Sequence, residues 1–120
     1  MRILLWVALA ALVVAIVVGS LMSSGPMTRF PPGISPGMTH LLAYSVLGVL
    51  AGSLVGPSLR GLILAFVLTA AVGMGVEILQ LAIPARTFSF YDLGMNVIGA
   101  GIGVAGAAGL RCCAAVLGLR

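Results

Sequence analysis

The chain contains no lysine, and its 120 positions hold only two acidic residues and one histidine. Charged residues make up 7% of the total, against roughly 25% in a soluble domain. So little charge cannot cover a water-facing surface, which excludes a soluble globular protein. Six arginines stand singly along the chain. Despite a net charge of +4 they form no basic patch, so nucleic acid is not an expected partner. One histidine cannot build a multi-histidine metal site, and the two cysteines, Cys112 and Cys113, are adjacent. That rules out both a disulfide framework and a cysteine-based zinc pattern. No metal and no cofactor is expected. Ser89 lacks a recognisable nucleophile context. Alternating polar and apolar positions are missing as well, which excludes a β-barrel.

Hydrophobic residues account for 62% of the sequence, and they fall into four long runs. Lipid offers no partner for unpaired backbone groups, so helices are the expected form. The sequence predicts an all-α polytopic membrane protein. It forms a compact bundle of four transmembrane helices at about 3–21, 39–56, 60–83 and 92–110, within a single domain over 1–120. Gly25-Pro26, Pro31-Pro32-Gly33 and Pro36-Gly37 break the first connection, and Gly56-Pro57-Ser58 makes a tight second one. Arg2 before an apolar run has the shape of a signal peptide. The run is longer than the usual roughly 7 to 15-residue core of such a signal, so an uncleaved helix is expected. Trp6 suits an interface anchor. Gly48, Gly52 and Gly56 form a ridge on the second helix, and Gly99 and Gly103 form another on the fourth. Small residues let helix backbones approach within one chain or between copies, so a homo-oligomer stays open.

Arginine also predicts orientation. Arg2, Arg60, Arg111 and Arg120 share one side of a four-span protein, against Arg29 and Arg86 on the other. The positive-inside rule then puts both termini in the cytoplasm of a multi-pass protein of the bacterial inner membrane. His40 begins the second helix, Glu77 and Gln80 end the third, and Asp92 and Asn96 begin the fourth. Because neighbouring spans run in opposite directions, all of these fall in the outer leaflet. Tyr44 shares a face with His40 at i,i+4. Arg86 and Ser89 sit on the loop above. A polar cluster is therefore expected from His40, Tyr44, Glu77, Gln80, Arg86, Ser89, Asp92 and Asn96. An ionisable group inside a membrane span is a functional-site candidate by default.

Each member has a structural role to weigh. Glu77 is either an ion-pair partner for Arg86 or His40, a contact for a head group, or an acid–base group. Arg86 either snorkels to the interface or grips a phosphate through its planar fork. Asp92, opening a helix, suits capping of free N–H groups. Gln80 and Asn96 suit gluing helices together.

The residues His40-Leu41-Leu42-Ala43-Tyr44, then Glu77-x-x-Gln80, Pro84-x-Arg86, Ser89, Asp92, Asn96 and Gly99, resemble the VanZ-like family of membrane proteins over about 39–103. The resemblance implies an association with resistance to the glycopeptide antibiotic teicoplanin; most relatives have no defined biochemical activity. Members often carry an Asp-Lys pair three and four residues before the histidine, where this chain has Pro36 and Gly37.

Two functions follow as expectations. The favoured one is a non-enzymatic protein whose partners are membrane lipids, its cluster holding a lipid-linked or cell-wall head group. The other is a small intramembrane enzyme acting on a lipid-linked substrate, with Glu77 or His40 as general base and Arg86 stabilising an anion. Four short helices leave little room for a transporter.

Overall fold

The computed structural model describes residues 2–22, 33–84 and 86–118. They form four helices: α1 (Arg2–Met22), α2 (Pro36–Leu54), α3 (Leu59–Gln80) and α4 (Phe90–Val116). Each is long and apolar enough to cross a bilayer, and no strand occurs among the described residues. Leu4 and Val14 on α1, Leu42 and Val46 on α2, Ile63 and Val67 on α3, and Ile98 and Ile102 on α4 all face outward. Apolar surface on every helix is what hydrocarbon solvates and water does not. The protein is a multi-pass membrane bundle. Arg29 and Arg120, and the breaks at 25–26 and 31–32, lie outside the described residues.

Serines set three of the helix starts. The side chains of Ser35, Ser58 and Ser89 accept the N–H groups of Met38, Gly61 and Asp92 at 3.2, 3.1 and 3.1 Å. Each satisfies a donor that the first turn leaves without an intrahelical partner. With Ser35 as cap, Pro36 takes a first-turn position where its missing N–H costs nothing. The second helix therefore begins at 36, ahead of the expected 39. The third stops at 80, short of 83. There the N–H groups of Leu81, Ala82 and Ile83 bond carbonyls three residues back, a tighter winding than an α-helix. The fourth runs from 90 to 116, past both expected ends. At about 1.5 Å per residue it is longer than the roughly 30 Å hydrocarbon core.

The most extensive contact in the bundle joins α2 to α4, and glycine makes it. A methyl group on Gly48 would lie 2.7 Å from the Ala100 carbonyl oxygen. One on Gly52 would lie 2.9 Å from the Ala107 side chain, and one on Gly99 2.5 Å from the Leu41 carbonyl oxygen. Gly103 presses on the backbones of Ser45, Gly48 and Val49. These four glycines form one intramolecular seam. Gly56 does not belong to it, because α2 ends at Leu54 and nothing lies within 4 Å of where a Gly56 side chain would start.

The α3 helix closes over this pair through Gly73, whose Cβ position lies 2.9 Å from the Asn96 side chain and 3.2 Å from the Tyr44 ring. The α1 helix packs on α2 and α3 at the periphery, and Ile16 joins Tyr44, Leu47 and Val76 in the core. At the far end, Arg111 Nη1 donates to the Val55 carbonyl at 2.9 Å and Arg2 reaches the Leu54 carbonyl. Both cations neutralise the negative end of α2.

Candidate functional site

Glu77 lies near the end of α3 with none of its surface exposed. Its Oε2 accepts the backbone N–H of Ser89 at 3.2 Å, while Oε1 has no partner among the described residues. Ser89 thus ties the loop down onto α3 through its backbone and starts α4 through its side chain. The pattern Ser89-x-x-Asp92 is that of a capping box, in which the second carboxylate takes the cap residue's N–H. Glu77 holds that N–H here, and the Ser89 hydroxyl accepts from the N–H of Asp92. Capping therefore falls to Ser89 and not, as expected, to Asp92.

The Asp92 carboxylate joins a different set. One ring nitrogen of His40, one oxygen of Glu77 and one oxygen of Asp92 all lie within 4.8 Å of one another. The chain has two acidic residues and one histidine in total, and all three meet at this point from three helices. His40 is oriented by Asn96: its Nδ1 lies 2.8 Å from Asn96 Oδ1. An amide oxygen only accepts, so Nδ1 carries the hydrogen of this bond. Arg86 follows a turn closed by its own N–H to the Ile83 carbonyl at 3.1 Å.

Beneath this set lies Tyr44, fully buried, its ring parallel to that of His40 with centroids 6.4 Å apart. Among the described residues its hydroxyl has no hydrogen-bond partner, and neither does Nδ2 of the fully buried Asn96. Leaving a buried polar group unpaired costs roughly 1–3 kcal/mol. An acceptor (Glu77 Oε1), a donor (Asn96 Nδ2) and a hydroxyl that can be either are thus gathered at one end of the bundle.

The structure brings His40, Tyr44, Glu77, Ser89, Asp92 and Asn96 together, with Arg86 on the covering loop. Gln80 serves another purpose. Its Nε2 donates to the Ser20 carbonyl at 3.2 Å, which binds α3 to the end of α1. Gln80→Leu should therefore loosen α1 alone, lowering stability by about 1 kcal/mol. Thermal unfolding in detergent, with limited proteolysis of α1, measures this; the environment of His40 should not change.

Three details were beyond the sequence reading. The Glu77 to Ser89 link needs the turn geometry of residues 81–89. The pairing of His40 with Asn96 needs the α2–α4 register, although two single-copy polar residues on facing ridges were a signal for it. Tyr91 packs its ring over Gly37, filling the space at one of the two positions where relatives often carry the extra ion pair.

An imidazole nitrogen and two carboxylates can share a proton or hold a divalent cation. Beside them, Arg86 offers a planar, permanently charged fork suited to phosphate or carboxylate. A family model described as VanZ/LLP1 matches residues 3–111. No curated protein and no solved structure matches the chain.

Proposed function

We propose, for a chain that belongs to the VanZ/LLP1 family, that the polar end of the bundle binds the phosphate-bearing head group of a membrane or cell-envelope lipid. Binding without turnover would alter envelope properties, glycopeptide susceptibility among them. The observation that carries this reading is the set of buried polar atoms without partners: Glu77 Oε1, Tyr44 Oη and Asn96 Nδ2. Groups of this kind are costly in a packed helical core, and a ligand with hydroxyls and an anionic group satisfies all of them. Arg86 supplies the charge such a ligand requires. The distribution of arginines supports an orientation with this end outward and both termini in the cytoplasm.

Native mass spectrometry of protein extracted with its lipids tests the proposal. The wild type should retain a defined phospholipid or lipid-linked sugar phosphate. Arg86→Ala should lose it by at least tenfold, equivalent to about 1.4 kcal/mol. A wild type that emerges bare from mild detergent would count against a binding site here.

A further inference from the structure

Every acidic side chain and the sole imidazole of this chain fall in one set whose ligand atoms lie within 4.8 Å of one another. Two carboxylates so close, one of them fully buried, repel in a medium of low dielectric. Arg86 offsets one unit of that charge. A ring nitrogen of His40 is the third member of the set. A soft monovalent ion would need sulfur ligands, and a calcium-like ion would need more oxygens than this. Imidazole plus carboxylates suits a divalent first-row transition ion.

We propose that His40, Glu77 and Asp92 bind one such ion, of the Zn2+ or Mn2+ type, at the membrane-embedded end of the bundle. Three protein ligands leave a coordination position open, as in sites that take an exogenous ligand. Ion-to-ligand distances of about 2.1 Å in a tetrahedral site place ligand atoms about 3.4 Å apart, so each side chain closes by about 1 Å or less from its present separation. Asn96 acts as a positioning residue. It accepts the Nδ1 hydrogen of His40 at 2.8 Å, the outer hydrogen bond that fixes which nitrogen of a ligating histidine faces the metal. Ser89 does the same for Glu77 by holding Oε2 through its N–H, which leaves Oε1 without a partner. The unpaired hydroxyl of Tyr44 beneath the set is a further group that a bound ion and its water would satisfy. The inference rests on the head-group reading in one respect: the open position would accept a phosphate oxygen. The cation itself does not depend on that.

The experiment uses full-length protein in detergent, stripped with EDTA and titrated with Zn2+ and with Co2+ as a spectroscopic probe. Cys112 and Cys113 are exposed, and thiols compete for such ions, so the background is Cys112→Ser/Cys113→Ser. The expected result is one ion per chain, with visible Co2+ absorption of a nitrogen–oxygen site. Asp92→Asn keeps the shape of its side chain, His40→Gln replaces the ring with a neutral amide that is a poor metal ligand, and each should weaken binding at least a hundredfold. Asn96→Ala should weaken it about 10- to 100-fold. Circular dichroism and gel filtration check that each variant is folded. Binding of no ion by folded wild type, or equal binding by folded His40→Gln, would overturn the site. The two proposals fail separately. A lipid retained after EDTA, with no ion bound, leaves head-group binding standing and removes the metal. A bound ion without any retained lipid does the reverse.

Discussion

Gly103→Val should abolish the folded bundle, while Gly56→Ala should leave it unchanged. Both residues look alike in the sequence, as members of small-residue ridges. In the structure the Gly103 Cα faces the α2 backbone, and a side chain there would stand 2.8 Å from the Val49 nitrogen and 2.9 Å from the Gly48 Cα. Its neighbours are main-chain atoms, which cannot rotate aside, so the helices themselves must part. Overpacking a rigid contact costs about 1–3 kcal/mol and more where no side chain can give way. Against a typical total of about 5–15 kcal/mol, and with the loss of the α2–α4 seam that follows, little folded protein should survive. Gly56 has nothing within 4 Å of a new Cβ and no positive φ, so alanine there should change stability by less than about 0.5 kcal/mol. Detergent-solubilised expression and thermal unfolding distinguish the two outcomes.

The second large effect concerns Glu77, and it separates structure from function. Glu77→Leu removes the acceptor for the Ser89 N–H and should cost about 1–3 kcal/mol, with the 81–89 loop becoming sensitive to protease. Glu77→Gln keeps an oxygen for that N–H and replaces the other oxygen with an amide nitrogen. Its stability should fall within about 1 kcal/mol of the wild type. Lipid retention, however, should drop at least tenfold in Glu77→Gln, because an amide nitrogen replaces the acceptor left open at Oε1. Native mass spectrometry beside thermal unfolding reads both. A folded Glu77→Gln variant with full lipid retention would reduce Glu77 to a structural tie.

Much of this was legible in the sequence because hydrocarbon is an unforgiving solvent. Four long apolar runs have no stable alternative to spanning helices, and the reversal of direction at each loop fixes which polar residues share a depth. His40, Glu77, Asp92 and Asn96 were found by that reasoning. Helix ends were less legible: the shifts at 36, 80 and 90 come from serine caps and a tightened turn, local hydrogen bonding that hydropathy does not register. Asp92 stands near a helix start, where a carboxylate is expected to cap, but the hydroxyl of Ser89, three residues earlier, supplies the cap. Gln80 shares a helix side with Glu77, yet i,i+3 spacing leaves about 60° between them, enough to direct one toward α1 and the other toward α2 and α4. The metal-binding possibility was hidden by counting histidines alone. One imidazole suffices when two carboxylates from other helices meet it.

Intramolecular cross-linking tests the convergence of helices most directly. With Cys112 and Cys113 replaced by serine, cysteines at positions 40 and 96 should be joined within one chain by a short bifunctional thiol reagent, since their native side chains lie in hydrogen-bond contact at 2.8 Å. A pair at 40 and 111, one at the polar end and one beside the α2 C-terminus, should remain unlinked. Linkage of 40 to 111 and not to 96 would contradict the helix register on which the site is built.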